Sequence, residues 1–414
     1  MPTTSSSKDS FPEPCDAHDT LVRVETSVDN IPAASWDACA NPPELPYNPF
    51  LSHAFLSALE KSGSAVPKTG WGGQHLIAED KDGALLGVMP LYLKGHSYGE
   101  YIFDHSWADA YERAGGRYYP KLLSAVPFTP ATGRRFLAKD LARAEAIEGL
   151  LTAGLVALAE RHHVSSAHVN FLSKEEWDRL ALRGFLKRED QQFHWFNEGF
   201  SSYDDFLASL ASRKRKQLRK ERAEALENGI KIRWLTGSDI KEHHWDTFFD
   251  FYMDTGARKW GTPYLKRKFF SLVGETMRDQ ILLVMCERDG RDIAGALNFI
   301  GGDTLYGRYW GAVEEHPSLH FEACYHQAID YAIAHKLRCV EAGAQGQHKL
   351  VRGYRPVATY SAHWIAEPAF RDAVARYLVS ERRHIEQAIE VLSEHTPYRK
   401  DLEFKYKGSS SDGL

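Results

Sequence analysis

Between Leu305 and His363 the sequence gathers ionisable and aromatic side chains more densely than anywhere else: Arg308, Tyr309, His320, Glu322, Tyr325, Glu341, Gln345, His348, Lys349, Arg352, Tyr360 and His363. Carboxylates and imidazoles accept protons, phenols return them, and guanidinium and ammonium groups hold anionic oxygens. Such a set between two apolar runs points to a working site rather than a solvated loop. The bland alternative is a salt-bridged loop cap with hydrogen-bonded histidines.

The elements that must position these groups are legible around them. Ala294 to Ile300 is an apolar run that reads as a buried strand, Gly301, Gly302 and Asp303 make a tight turn, and Thr304 to Gly311 returns as its hairpin partner. Phe321, Cys324, Tyr325, Ala328, Ile329, Ala332 and Ile333 then recur at helical spacing, with Ser318 as N-cap and Glu322 in or near the first turn. A short strand, Cys339 to Gly343, exits into a Gly-rich polar loop. Strand, helix, strand, loop is the order in which an open sheet presents a site at its strand ends.

The chain has 414 residues, the length of two or three domains, and 43% apolar content suffices for real cores. A net charge of -5 gives no reason to expect DNA as a partner. Cys15, Cys39, Cys286, Cys324 and Cys339 show no CxxC spacing, and no HExxH occurs, so the reading is reduced core thiols of a cytoplasmic protein with no metal. Residues 1–19 read as a disordered Ser- and Pro-rich tail without a signal peptide, and 405–414 as a flexible end. No run is apolar enough to span a bilayer, so membrane contact, if any, is peripheral.

In the first half, residues 20–200, strands are expected at Leu21 to Ser27, His75 to Glu79, Ala84 to Lys94, Ala167 to Leu172 and Gln191 to Phe196, and helices at Phe50 to Ser62, Asp140 to Arg161 and Lys174 to Arg183. The stretch up to Pro49 reads as loop. Ser97 to Pro130 is aromatic and polar at once, and Asp104, Trp107, Tyr111, Tyr118 and Phe128 offer a wall for a ligand with a greasy part and a polar part, or else an aromatic core edge. Tyr309, Gln345 and His363 join them as substrate-binding candidates. A second copy of the plan, residues 201–404, opens with a long helix, Tyr203 to Asn228, whose Arg213 to Arg222 stretch is a dense cationic band. That band is either a solvated face or an attractor of polyanions.

The stretches SRKRKQLRKERAEALENGI, FYMDTGARKWGTPYLKRKFF, LYGRYWG, LHFEACYHQAIDYAI and EAGAQGQHKLVRGYRP, with GEYIFD and Tyr118 to Pro130, resemble the FemAB-like N-acyltransferases of proteobacteria. The resemblance covers about Asn48 to Arg399. It implies an α/β (α+β) fold: a tandem of two GNAT-like acyltransferase domains, with mixed, mostly antiparallel sheets flanked by helices and the catalytic site in the second. Within that family the chain is similar to the bacterial ceramide synthases, which N-acylate a sphingoid amine such as 3-ketosphinganine from a long-chain acyl thioester.

Amide formation from a thioester needs a base, donors for the tetrahedral oxyanion and a proton for the leaving thiolate. The resemblance places the thioester between strands Leu305 to Gly311 and Cys339 to Gly343. Glu322 or His348 is then the expected base, Glu341 orients the amine or the imidazole, and Tyr325 or Tyr360 protonates the thiolate. Arg308, Lys349 and Arg352 would hold phosphates or the oxyanion, and the amides near Ser318 and His320 a pyrophosphate. No tightly bound cofactor is expected. The donor is acyl-CoA, or an acyl carrier protein, since no Q/RxxGxG/A phosphate loop stands at that position; the amine lipid is the second substrate, met at the inner membrane face. The alternatives are a Fem-type aminoacyltransferase acting on a cell-wall precursor, with aminoacyl-tRNA on the cationic helix, and a non-catalytic GNAT-fold lipid-binding scaffold.

Overall fold

A computed structural model of the chain describes residues 20–259, 263–343, 346–402 and 404. Both expected tails and Gln345 lie outside the described residues.

The first half runs β1 (Thr20–Glu25), α1 (Ala33–Ala40), α2 (His53–Lys61), β2 (Trp71–Gly73), β3 (His75–Asp80), β4 (Leu85–Met89), β5 (Tyr92–Lys94), α3 (His105–Arg113), β6 (Lys121–Ser124), β7 (Leu137–Ala138), α4 (Ala144–Arg161), β8 (Ser166–Leu172), α5 (Lys174–Leu182) and β9 (Leu186–Phe196). The helix α1 falls where the sequence reads as loop; it buries Trp36, Cys39 and Ala40. Pro90 cannot donate to a ladder, and the strand expected over Ala84 to Lys94 divides there, β4 joining one sheet and β5 another.

The second half runs α6 (Tyr203–Ala208), α7 (Ser212–Ala225), β10 (Lys231–Thr236), α8 (Glu242–Lys259), α9 (Arg267–Thr276), β11 (Ile281–Arg288), β12 (Arg291–Ile300), β13 (Thr304–Ala312), α10 (Leu319–Phe321), a π segment (Glu322–His326), α11 (Gln327–Ala334), β14 (Cys339–Glu341), β15 (Arg355–Ile365) and α12 (Pro368–Glu394). The single long helix expected from Tyr203 breaks before α7, where Ala211 N–H donates to Pro397 O and Leu210 pairs with Tyr398.

One sheet has the order β1-β3-β4-β7, and the other, of eleven strands, β10-β11-β12-β13-β14-β9-β15-β8-β6-β5-β2. Strands from either side of Phe200 therefore share one sheet: β15 threads between β9 and β8, so the boundary expected at 200/201 does not divide the large sheet.

Strand β13 is irregular along both edges. Its ladder with β12 slips between Leu297 and Asn298, which pair with Tyr309 and Gly307, leaving Arg308 as the extra residue of a β-bulge. A bulge turns consecutive side chains to one face, and Arg308 and Tyr309 both lie on the side packed against the first half, near Phe50 and Phe128. On the other edge, β13 pairs in parallel with β14 over Thr304–Cys339, Leu305–Val340 and Tyr306–Glu341 only. From Gly307 to Ala312 β13 continues without it.

Candidate functional site at a strand split

The gap between β13 and β14 begins where their pairing ends, at Glu341, a residue 8% exposed. Alternation along β14 sends Val340 to the core under α11, while Cys339 and Glu341 face the opposite way with Phe196 and His194. Glu341 Oε2 is buried without a hydrogen-bond partner, and His194 Nε2 lies 4.0 Å from it. Burial pushes the Glu341 carboxyl up to about 8, against the pull of Arg308, and burial lowers His194 to about 3, leaving the imidazole neutral.

Two cations stand at the same gap. Nε and Nη1 of Arg308, on the bulge, are buried without hydrogen-bond partners. Lys349 donates to Gly343 O at 2.8 Å and is 2% exposed; burial, with Arg308 nearby, lowers it to about 7. On the α11 side, Tyr325 Oη meets His348 Nε2 at 2.9 Å, with His320, Phe321 and Trp310 packed around the pair. Burial lowers the His348 pKa, with Arg352 and Lys349 acting in the same direction, so its ring accepts a proton rather than carrying one. Burial raises the Tyr325 phenol.

His348 is held through a relay that reaches back to α6. Arg352 donates to His348 O at 2.6 Å, grips both oxygens of Glu221 at 2.8 and 2.6 Å, and stacks 3.5 Å above Phe321. Glu221 also meets His326 Nε2 at 2.7 Å, and His326 Nδ1 meets Tyr203 Oη at 2.6 Å. Arg352 is thus committed to the protein and not open to a phosphate.

Three more expectations change. Glu322, fully buried, receives Arg222 on both oxygens at 3.1 and 2.8 Å and Gln327 on one at 2.6 Å, so it ties α7 to the π segment instead of facing a substrate. Ser318 is left-handed (φ 60°), makes no side-chain cap, and gives its hydroxyl to Glu224 at 2.8 Å; a carboxylate there opposes a pyrophosphate. Tyr360 packs on Trp177 in β15, two strands across from β14 and five residues along from Arg355, which is level with Glu341, and hence about 15–20 Å from the gap at ordinary strand dimensions.

The substrate-binding candidates separate into two groups. Phe128 and Tyr309 meet beside the bulge, Tyr309 Oη donating to Phe128 O at 3.2 Å, and Tyr264 stacks on Phe128 at 4.8 Å. Asp104, Trp107, Tyr118 and His363 belong to a closed core instead. Lys121 is fully buried between Glu100 and Asp104, Tyr118 donates to Asp104 at 2.7 Å, and His363 Nδ1 meets His168 Nδ1 at 2.6 Å. Trp107 packs there with Val374 and Leu378 of α12, and Tyr111 stacks on Phe370. Long-range charge pairing, not a cleft, explains that polar and aromatic mixture. It leaves those five residues away from the gap.

His194 is a residue of the site that the sequence does not single out. It sits 147 positions before Glu341 and meets it only because β9 pairs with β14. Cys339, on the same face of β14, is a poor nucleophile, since burial drives its thiol far above its ordinary range.

Residues 27–400 match the FemAB-like family, described as peptidoglycan biosynthesis/recognition. No curated protein matches the chain. Among solved structures, FemX aligns with 13% identity over 86% of this chain and 100% of its own, with a TM-score of 0.51. L-PGS from Bacillus licheniformis aligns with 9% identity over 80% and 98% (TM-score 0.48), and a tandem GNAT protein from the clavulanic acid pathway with 12% over 84% and 99% (TM-score 0.45). The expected mixed sheets flanked by helices are present, and the fold is one shared with FemX. With its open strand pair and the match spanning nearly its whole length, this chain belongs to the FemAB-like family and is a transferase of the acyl or aminoacyl class.

Proposed function

We propose that the protein joins a long-chain acyl thioester, carried by CoA or an acyl carrier protein, to the amine of a sphingoid base such as 3-ketosphinganine. The observation that carries this reading is the Glu341 carboxyl, buried with one oxygen unpartnered at the last paired residue before β13 and β14 separate. A carboxyl raised to about 8 takes a proton from an ammonium far more readily than a surface carboxylate does.

The ammonium gives its first proton to Glu341, and its nitrogen then forms the C–N bond at the thioester carbon. The carbonyl electron pair moves onto oxygen, where the unpartnered N–H groups of Arg308 and the Lys349 ammonium hold it. When the C–S bond breaks, the sulfur takes the Tyr325 hydroxyl proton, His348 takes the second proton from nitrogen, and that proton passes along their hydrogen bond to restore the phenol. The products are an amide, a thiol and one proton left on Glu341.

A second reading rests on α7, where Arg213, Lys216 and Lys220 remain exposed: aminoacyl transfer from tRNA to a cell-wall precursor, which would use the same groups on an ester. Purified protein incubated with acyl-CoA, acylated carrier protein or aminoacyl-tRNA, each against a sphingoid base, an amino acid and a lysine-bearing wall precursor, tests both. An amide formed only with the sphingoid base and a thioester supports the first reading. Product only from aminoacyl-tRNA replaces it with the second, and no product from any pairing leaves the non-catalytic scaffold.

A further inference from the structure

A cavity of about 420 Å³ lies against the large sheet on the face to which Glu341 points. Its floor crosses three adjacent strands, from Glu341 and Cys339 of β14 through His194 and Phe196 of β9 to Val357 and Ala358 of β15. The roof is the segment around Leu45 to Leu51 together with the starts of α4 and α5. That volume is within the range of small-ligand sites. The cavity adjoins the strand-split site at Glu341 and His194 and extends from there over residues to which no role has been given.

Its chemistry is uneven. Leu51, Phe136, Leu141, Phe196 and Val357 make the body apolar. Two of the ion pairs on its walls are closed, Arg338 with Asp303 at 2.6 Å and Arg179 with Glu148 at 2.6 Å. Among the described wall residues, the buried atoms without a hydrogen-bond partner are Glu341 Oε2 at the strand-split end, Glu148 Oε1 at the far end, 3.9 Å from Arg183 Nε, and Nη1 of Arg134. Once it gives up its proton, an orphaned carboxyl facing a neutral imidazole attracts a cationic N–H donor and repels phosphate or carboxylate, and a bound ammonium favours that ionised form. The unpartnered guanidinium N–H in turn takes an oxygen acceptor. Arg308 and Lys349, the latter bonded to Gly343 O, stand instead at the split, where the acyl oxygen is proposed to sit.

We propose that this cavity is the acceptor pocket: it takes a primary amine on an apolar body, the ammonium at Glu341 and an oxo or hydroxyl oxygen at Arg134, and delivers it to the gap from the face opposite Tyr325 and His348. This rests on the acyl-transfer reading for its consequence but not for the binding itself. The amine then reaches the gap from the first-half side of the sheet, where Arg308 also lies, while Tyr325 and His348 face the gap from the other side.

The test uses the full chain and isothermal titration with dodecylamine, dodecanol and dodecanoic acid, beside steady-state kinetics with whichever amine is turned over. Val357→Phe and Leu141→Phe fill the cavity without touching Glu341, and each is accepted only if its melting point and circular dichroism match the parent; two positions guard against one variant failing to fold. Saturable binding of dodecylamine but not dodecanoic acid is expected, weakened at least tenfold by either filling variant and by Glu341→Gln. The KM for the amine should rise at least tenfold while that for the donor stays within twofold. Turnover with an unchanged amine KM in both filled variants overturns the pocket and leaves the transferase reading standing. Dodecylamine binding that the filling variants abolish, in a protein that acylates no amine, keeps the pocket and sinks the transferase reading. Equal binding of amine and acid shows a greasy hollow only and overturns the assignment.

Discussion

Tyr306 and Glu341 are the last Cα partners of β13 and β14, and beyond them β13 runs on without that partner. The carboxyl therefore stands at the vertex of the gap, on the face shared with His194. If it is the base, Glu341→Gln should lower kcat by about 10² to 10⁴, the range of a general base, while the donor KM changes little because the glutamine keeps the side-chain shape. Single-turnover rates with a saturating thioester check this. A glutamine variant retaining more than a tenth of the parental rate would remove Glu341 from the chemistry.

The pH profile separates base from oxyanion holder. The proposed active form has Glu341 ionised and Lys349 protonated, with values of about 8 and about 7. The base thus has the higher value, so the productive form is a minority at every pH, and kcat/KM should plateau narrowly between the two. Glu341→Gln should abolish the acid limb. Lys349→Arg keeps a cation at high pH and should move the alkaline limb upward by more than one unit. An alkaline limb unmoved in the arginine variant would exclude Lys349 as its source.

Much of this frame is readable before any coordinates. The β12–β13 hairpin, the helix after Ser318 and the short β14 lie where apolar period and turn residues put them, and the group of Arg308, Tyr325, Glu341, His348 and Lys349 stands out by composition. What escapes is whatever depends on strands far apart in the chain. His194 looks like one more residue of an alternating strand until β9 pairs with β14. The bulge at Arg308 arises from a register slip against β12, which leaves no local trace. The cationic run did contain a usable sign: Arg222 falls four residues after Leu218 and three before Ala225, both buried, so it shares their inward stripe and must find an anion there.

That anion is Glu322, and the pairing sets an expectation opposite to catalysis. Arg222→Ala leaves a fully buried carboxylate with Gln327 alone, and Asp330 loses its 2.6 Å partner as well. Breaking such a pair costs about 3 kcal/mol, somewhat less here because the arginine is partly exposed. The denaturation midpoint should fall accordingly, while the folded variant turns over within a few-fold of the parent. A loss of turnover without a loss of stability would return Glu322 to the reaction.

Stability against pH offers a check on Glu341 that needs no substrate. Its folded value, about 8, lies above the ordinary 4.5, so between those limits the folded state holds a proton that the unfolded chain has released. The native state therefore binds more protons, and the contribution of the group to stability falls as pH rises through that window, by at most about 1.4 kcal/mol per unit. Lys349 acts in the adjoining window with the opposite sign. Its folded value of about 7 lies below 10.5, the unfolded chain holds the extra proton, and stability is regained as pH climbs from 7 toward 10.5. Glu341→Gln should thus gain on the parent steadily from pH 4.5 to 8 and hold a constant margin above that, while Lys349→Met should gain most at acid pH and lose its advantage above 7. Parallel denaturation curves for parent and Glu341→Gln from pH 5 to 8 would mean that the carboxyl is ionised in the folded protein, and the proton acceptor would have to be sought in His348.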